Sequence, residues 1–165
     1  MTITERKSGN KHNIEIERAD GEDIKGLKKG SRFQFNWSEY GEKEVELFKL
    51  VILRDAQIVG MMCLKDHTDI ATNAVEIELI EASKENIGKN GKYNGIGGCL
   101  FAYASRESFI RGHEGFVFLT PKTGLIRYYE REYGFQYWPR MGIKLEGIMT
   151  LDSRASIELM NRFMS

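Results

Sequence analysis

The sequence predicts an α/β fold: a mixed, mostly antiparallel central sheet with helices on both faces. Three observations predict it. Two apolar runs, Val45 to Leu53 and Ile58 to Leu64, flank the turn Arg54-Asp55-Ala56-Gln57 and read as an antiparallel hairpin. Strand-like runs at Val75 to Ala82 and Gly115 to Thr120 then bracket a helix-like run from Ile96 to about Arg111, the order of a βαβ unit. Between that first strand and the helix lies a glycine-dense turn, Lys92-Tyr93-Asn94-Gly95-Ile96-Gly97-Gly98. Hairpins that pass into a βαβ unit give a mixed sheet with helices to cover it. At 165 residues the chain fits one domain, 14–165, preceded by a mobile or edge-pairing tail over residues 1–13.

Each element has a local reason. Ile14 to Glu17 reads as a short strand, and Asp20 to Gly30 as a brief helix with Asp20 or Asp23 as its cap. Phe33-Gln34-Phe35-Asn36-Trp37 alternates, as in a half-buried strand, a hydrophobic clamp or the lining of a groove. Ile58 to Leu64 is apolar at successive positions, which places it near the centre of the sheet, covered on both faces. After the polar turn Lys65 to Asn73, period-two alternation puts Val75, Ile77 and Leu79 on one side and Glu76 and Glu78 on the other. Ile96, Leu100 and Ala104 follow helical spacing, with Gly112 as the stop. Pro121 ends the next strand, and Gly124 to Tyr133 is a short helix closed by Gly134. Ile143 to Leu151 reads as one long strand, bent at Gly147. Asp152 or Ser153 caps a last helix, Arg154 to Met164.

Composition excludes several classes of function. Lys and Arg total 24 against 24 Asp and Glu, so no global charge is offered to nucleic acid or to an anionic membrane. The longest apolar run falls far short of the roughly 20 residues that span a bilayer. Met1 to Asn13 is polar and lacks the apolar core of a signal peptide, so a cytoplasmic location is expected. Cys63 and Cys99 lie in apolar surroundings without CxxC spacing and read as reduced core thiols. His12, His67 and His113 are scattered without ligand spacing; they read as surface residues, and no metal is expected.

The glycine turn is the feature that points to a ligand. Glycines at the start of a helix leave backbone N–H groups free to converge on an anion, and a phosphate can approach closely where no Cβ intervenes. The alternative is a solvated loop whose glycines serve turn geometry alone.

These residues resemble the GCN5-related N-acetyltransferases. Lys92-Tyr93-Asn94-Gly95-Ile96-Gly97 is similar to that family's cofactor motif, Q/R-x-x-G-x-G/A, with Lys in place of the usual Gln or Arg. Tyr128-Tyr129-Glu130-Arg131-Glu132-Tyr133-Gly134-Phe135 is similar to its second signature, a tyrosine-rich helix followed by Gly-Phe. Two motifs in the right order, separated by a helix and a strand, are more specific than either alone. The resemblance covers about Val45 to Leu151.

The resemblance implies acetyl-CoA as cosubstrate, its diphosphate on the amides from Tyr93 to Gly98 and its pantetheine arm along Ile80-Glu81-Ala82. The amide of Ala82 would polarise the thioester carbonyl. Lys122, followed by Thr123, stands where many relatives carry an asparagine against the pantetheine; it serves either cofactor phosphate or solvent. Acetyl transfer to an amine needs a base for the ammonium proton and an acid for the departing thiolate. The resemblance implies Tyr129 as the acid, with Tyr128 second, because Tyr133-Gly134 adds one residue to the common spacing. It implies Glu76 or Glu78 as a water-linked base, with Glu81 nearer the thioester. Together the three carboxylates form an acidic wall that attracts a cationic amine.

The expected function is direct transfer of acetyl to a small-molecule or peptide amine in a ternary complex. Neither Cys63 nor Cys99 has a base nearby in sequence, although a helix amino terminus would lower the pKa of Cys99 and leaves an acyl-enzyme open. Two other readings are a non-catalytic acyl-CoA-binding or protein-interaction module, and a nucleotide-phosphate binder. The second is weaker because GxxxxGK[ST] is absent. The long strand Ile143 to Leu151 is the expected dimer contact, should the chain pair with itself.

Overall fold

A computed structural model describes residues 1–28, 30–40, 45–140, 142 and 145–165. In chain order the elements are β1 (Thr2–Glu5), β2 (Lys11–Arg18), α1 (Gly21–Lys25), β3 (Glu46–Ile52), β4 (Gln57–His67), β5 (Ala74–Ala82), β6 (Tyr93–Asn94), α2 (Ile96–Ile110), β7 (Val117–Leu119), α3 (Ile126–Tyr133), β8 (Gln136–Trp138), β9 (Ile148–Leu151) and α4 (Ser153–Phe163). They divide into two compact units, Met1–Leu64 with Leu79–Leu100, and Lys65–Glu78 with Phe101–Ser165.

In the first unit the strands run in the order β6-β1-β2-β3-β4, with the end of β5 beside β4, and β1 to β4 are antiparallel neighbours in turn. The amino-terminal tail of the sequence reading is thus a strand. Ile3 is buried, and β1 pairs on one side with β2 and on the other with β6. The β3–β4 register slips between Leu50 and Val51, which pair with Gly60 and Ile58; Val59 is the extra residue of a bulge. Past the bulge, Gly60 faces α2. A Cβ there would lie 3.0 Å from Ile96 Cγ2 and 3.2 Å from Leu100 Cδ1, so glycine lets the helix seat directly on the strand. Met61 and Cys63 point the other way, into a cluster with Leu27, Phe33, Trp37 and Leu47, against which Ile24 of α1 packs. Helices therefore cover both faces here, as the sequence predicts.

Of the alternatives for Phe33 to Trp37, the strand does not form and the hydrophobic clamp does. Residues 31–35 are bends, and Trp37 begins a single 3-10 turn, Trp37–Tyr40. The alternation reflects a wrapped segment whose Phe33 and Trp37 both reach the core. Helix α1 is shorter than predicted, with Asp20 and Asp23 forming a reciprocal capping box; of the predicted span, residue 29 lies outside the described residues.

In the second unit the order is β5-β7-β9-β8. Strand β7 runs parallel to β5, with Val75 opposite Val117 and Glu76 opposite Phe118, and β9 is antiparallel to both β7 and β8. Helices α2 and α4 converge on Gly115: Ser108 donates to Phe116 O at 2.8 Å, and Ser156 donates to Gly115 O. A Cβ on Gly115 would lie 2.6 Å from Phe109 Cζ. Asp152 caps α4 by accepting from the Ala155 amide, as predicted.

The predicted long strand is short. Of Ile143 to Leu151 only Ile148–Leu151 is extended, residues 145 and 146 are turn, and residues 143 and 144 lie outside the described residues. Thr150 pairs with Phe118 on one side and Gln136 on the other, so β9 has no edge with which to join a second chain. Among the described residues no helix is long and apolar enough to cross a membrane.

Gly60→Val drives two methyls into the Ile96 and Leu100 contact. The expected result is a loss of about 1–3 kcal/mol in urea unfolding. A variant as stable as the parent would show that the helix does not depend on this approach.

Candidate active site

The glycine turn opens α2 as predicted, but fewer of its amides are on offer. The Lys92 N–H donates to Glu85 O at 2.9 Å and the Tyr93 N–H to Asn86 Oδ1 at 2.9 Å. Strand β6 also holds Asn94 opposite Thr4. Those residues fix the turn. Gly95 lies at φ 101°, a left-handed conformation that favours glycine, and its carbonyl accepts the first helical bond, from Cys99 N at 2.9 Å. Ile96, Gly97 and Gly98 then supply the first helical N–H groups, which have no carbonyl one turn back. Gly95 and Gly97 are half-exposed, whereas Ile96 and Tyr93 are buried. Lys92 is exposed, with its ammonium 5.2 Å from the centre of the Tyr93 ring.

The loop from Ser83 to Gly91, longer than the family pattern, is stapled internally. Buried Asn86 accepts from Tyr93 and donates to Ser83 Oγ at 2.8 Å, and Arg32 pairs with Glu85. Gly91 packs so closely that a Cβ would lie 2.6 Å from Asn86 O. The sequence carried no signal for Asn86, whose partner lies seven residues away across a non-periodic loop.

Glu81 does not join the acidic wall. Its carboxylate accepts from the Gln34 N–H, from the Phe35 N–H at 3.2 Å and from Trp37 Nε1 at 2.9 Å, and the residue is buried. Alternation along β5 sets Leu79 and Glu81 on the side opposite Glu76 and Glu78. Glu81 is a clamp for the segment 34–37. Ile80 and Ala82 close β5 beyond its two-residue pairing with β7, and the following amide, Ser83 N, donates to Val59 O at 2.9 Å.

In the second unit α3 carries the tyrosines. Gly134 caps it at φ 79°, its N–H reaching Glu130 O at 3.3 Å, while the Phe135 N–H donates to Tyr129 O at 3.4 Å. Phe135 is thereby turned inward against Phe101, with ring centres 5.0 Å apart; this is why Gly-Phe follows the helix. Tyr129 and Tyr133 pack edge-on against the same Phe101 ring at 5.2 and 4.8 Å. Burial pushes the Tyr129 hydroxyl up to about 12, and burial, together with a hydrogen bond that its hydroxyl donates to Tyr128, pushes Tyr133 up as well. Tyr128 is more exposed, its hydroxyl 3.5 Å from that of Tyr133. The Tyr129 hydroxyl forms no hydrogen bond with a described residue, so it is the free donor of the three.

Glu76 is paired with His67, Nε2 to Oε1 at 2.8 Å, and Glu78 is exposed on the same side of β5. His113, expected at the surface, is buried between Asn73 and Asp66, at 2.7 and 2.5 Å. Lys122 is exposed just before the 3-10 turn that leads into α3. Both cysteines are free and buried, and burial pushes the Cys99 thiol up to about 11. Desolvation outweighs the pull of the chain's amino-terminal ammonium there, so Cys99 lacks the thiolate an acyl-enzyme needs. Among the described residues no three His, Cys, Asp or Glu side chains gather as a metal site.

A mixed sheet with one parallel pair, a helix opening on a glycine turn between its two strands, and a glycine-capped tyrosine helix define the acyl-CoA N-acyltransferase fold of the GCN5-related N-acetyltransferases. No family model matches the chain, and no curated protein matches its sequence. Solved structures do. The toxin AtaT, as a tyrosine-to-phenylalanine mutant bound to the C-terminus of the antitoxin AtaR and acetyl-CoA, is 14% identical over 92% of this chain and 99% of its own, with a TM-score of 0.58. A GNAT family acetyltransferase from Elizabethkingia anophelis with acetyl-CoA bound is 18% identical over 85% and 98%, at 0.55. Nourseothricin acetyltransferase is 13% identical over 84% and 97%, at 0.57. At these identities the likeness establishes the fold.

Glu81→Ala strands the buried Trp37 indole N–H and two backbone donors. It should lower stability by about 1.5–3 kcal/mol in urea unfolding. An unchanged midpoint would contradict the clamp.

Proposed function

We propose that this chain transfers an acetyl group from acetyl-CoA to a primary amine, directly and within a ternary complex. The observation that carries the proposal is the first turn of α2, with three successive amides behind a left-handed Gly95. Such a terminus gives a diphosphate both N–H hydrogen bonds and the positive end of the helix dipole. Ile96, Gly97 and Gly98 would hold it, and Lys92 would add a positive charge from the rim. Asn94 and Tyr93 shape the turn rather than donate to the ligand. The pantetheine arm would lie along Ile80 to Ala82, with the Ala82 amide donating to the thioester oxygen as negative charge grows there. Lys122 remains a candidate for phosphate contact.

Tyr129 is the proposed acid. A hydroxyl that keeps its proton at neutral pH and has no internal acceptor can donate to the departing sulfur. Glu76 and Glu78 provide the negative face for an ammonium, and Glu81 is assigned to structure alone. The acceptor is a small-molecule or peptide amine. AtaT is also described in complex with acetyl-methionyl-tRNAfMet, so an aminoacyl-tRNA belongs among the acceptors to be tried.

Tyr129→Phe should lower kcat by about 10²-fold with the KM for acetyl-CoA little changed, whereas Tyr128→Phe should cost far less. Cys99→Ala should leave turnover nearly intact. Thiol release from acetyl-CoA measures all three. Equal rates for both tyrosine variants and the parent would remove the acid. Loss of turnover in Cys99→Ala would replace direct transfer by an acyl-enzyme. Binding of acetyl-CoA without transfer to any amine would leave a non-catalytic acyl-CoA-binding module.

A further inference from the structure

We infer that His67, held by Glu76, is the group that takes the acceptor's ammonium proton. The inference rests on the transferase reading and deepens it: Glu76 acts through an imidazole, not through water.

The pair is built for that use. His67 closes β4 and Glu76 lies on β5, with their side chains 22% and 13% exposed, so the ring is shielded but still reachable. Nε2 bonds the Glu76 carboxylate at 2.8 Å, while Nδ1 forms no hydrogen bond with a described residue. A carboxylate on Nε2 selects the tautomer with the proton on that nitrogen, which leaves the Nδ1 lone pair as the acceptor. The other histidine of this unit shows the contrast. His113 has both ring nitrogens bonded and is buried, which suits a structural role.

The ring also has somewhere to work. Phe118 lies 5.3 Å from it, centre to centre, and sits opposite Glu76 in the β5–β7 register. The same Phe118 lines a cavity of about 480 Å³ with Ala71, Ala74, Ile148, Thr72 and Thr150. That lining is mostly apolar and suits an alkyl or aromatic group on the amine-bearing substrate. The charged groups that face the ring are Glu76 of β5, on Nε2, and Asp69 in the turn after β4; Lys65 and Glu78 follow at alternate positions on the two strands, and Phe118 of β7 packs against the ring.

The step balances. Nδ1 takes one proton from the ammonium, the freed nitrogen lone pair forms the C–N bond at the thioester carbonyl, and the C–S bond breaks with its electron pair on sulfur. Sulfur then takes the Tyr129 proton. The second amine proton leaves to solvent as the amide forms.

The test is the pH profile of kcat for parent, His67→Gln and Glu76→Gln, with acetyl-CoA and, as acceptors, phenethylamine and spermidine. Calorimetry with CoA on each variant checks folding and the cofactor site. The expected result is CoA affinity within about threefold throughout and faster use of phenethylamine than spermidine. His67→Gln should lose about 10²-fold in kcat together with the acid limb of the profile, and in Glu76→Gln that limb should move. A His67→Gln enzyme that keeps the acid limb and a kcat within threefold overturns the inference and leaves the transferase reading standing. CoA binding without turnover of either amine by the parent overturns both.

Discussion

The approach of β4 to α2 at Gly60 is the contact on which the first unit depends. It fixes where the helix begins, because Ile96 and Leu100 touch that one residue from successive turns. A helix amino terminus binds an anion only where its first N–H groups are aimed and left unbonded, so the seating of the helix also sets the amides of the proposed diphosphate site. Around that contact the chain spends its remaining hydrogen bonds on holding the turn. Strand β6 pairs with β1, Asn86 takes the Tyr93 amide, and Glu85 O takes the Lys92 amide. With those amides used, Ile96 through Gly98 are the ones the proposed diphosphate site would offer.

Strand β5 divides its side chains between two duties. Leu79 and Glu81 serve the wrapped segment that carries Phe35 and Trp37, while Glu76 serves His67. Burial decides the chemistry of the remaining candidates. It raises Tyr129 and Cys99 alike, yet the consequences are opposite. A phenol that keeps its proton gains value as a donor, whereas a thiol that keeps its proton loses value as a nucleophile.

Local signals in the sequence were readable to within a residue or two. Asp152 and Gly134 mark helix ends because their reasons are local: one oxygen reaches back one turn, and one φ lies in the left-handed region. The hairpin and βαβ unit were legible from apolar periodicity for the same reason, and the helix that carries the three tyrosines was legible from its glycine stop. Long-range partners were not legible. Glu81 reads as another carboxylate beside Glu76 and Glu78 until Trp37, 44 residues away, arrives at its oxygen. His113 reads as a surface residue until Asp66 and Asn73 enclose it. Phe33 to Trp37 alternates like a strand because a wrapped segment can bury every fourth side chain as well as a strand buries every second. Strand β6 is two residues long and exists only through its pairing with β1, so no window of the sequence reveals it.

The central claim is that the first turn of α2 is built for a diphosphate. Calorimetric titration of the chain with CoA and with pantetheine, which shares the thiol arm but lacks the diphosphate and nucleotide, tests it most directly when repeated with 3′-dephospho-CoA. The account predicts that 3′-dephospho-CoA binds nearly as well as CoA and that pantetheine binds at least about 10²-fold more weakly, since charge-assisted bonds from backbone amides are among the strong ones. Equal affinities for CoA and pantetheine would contradict it.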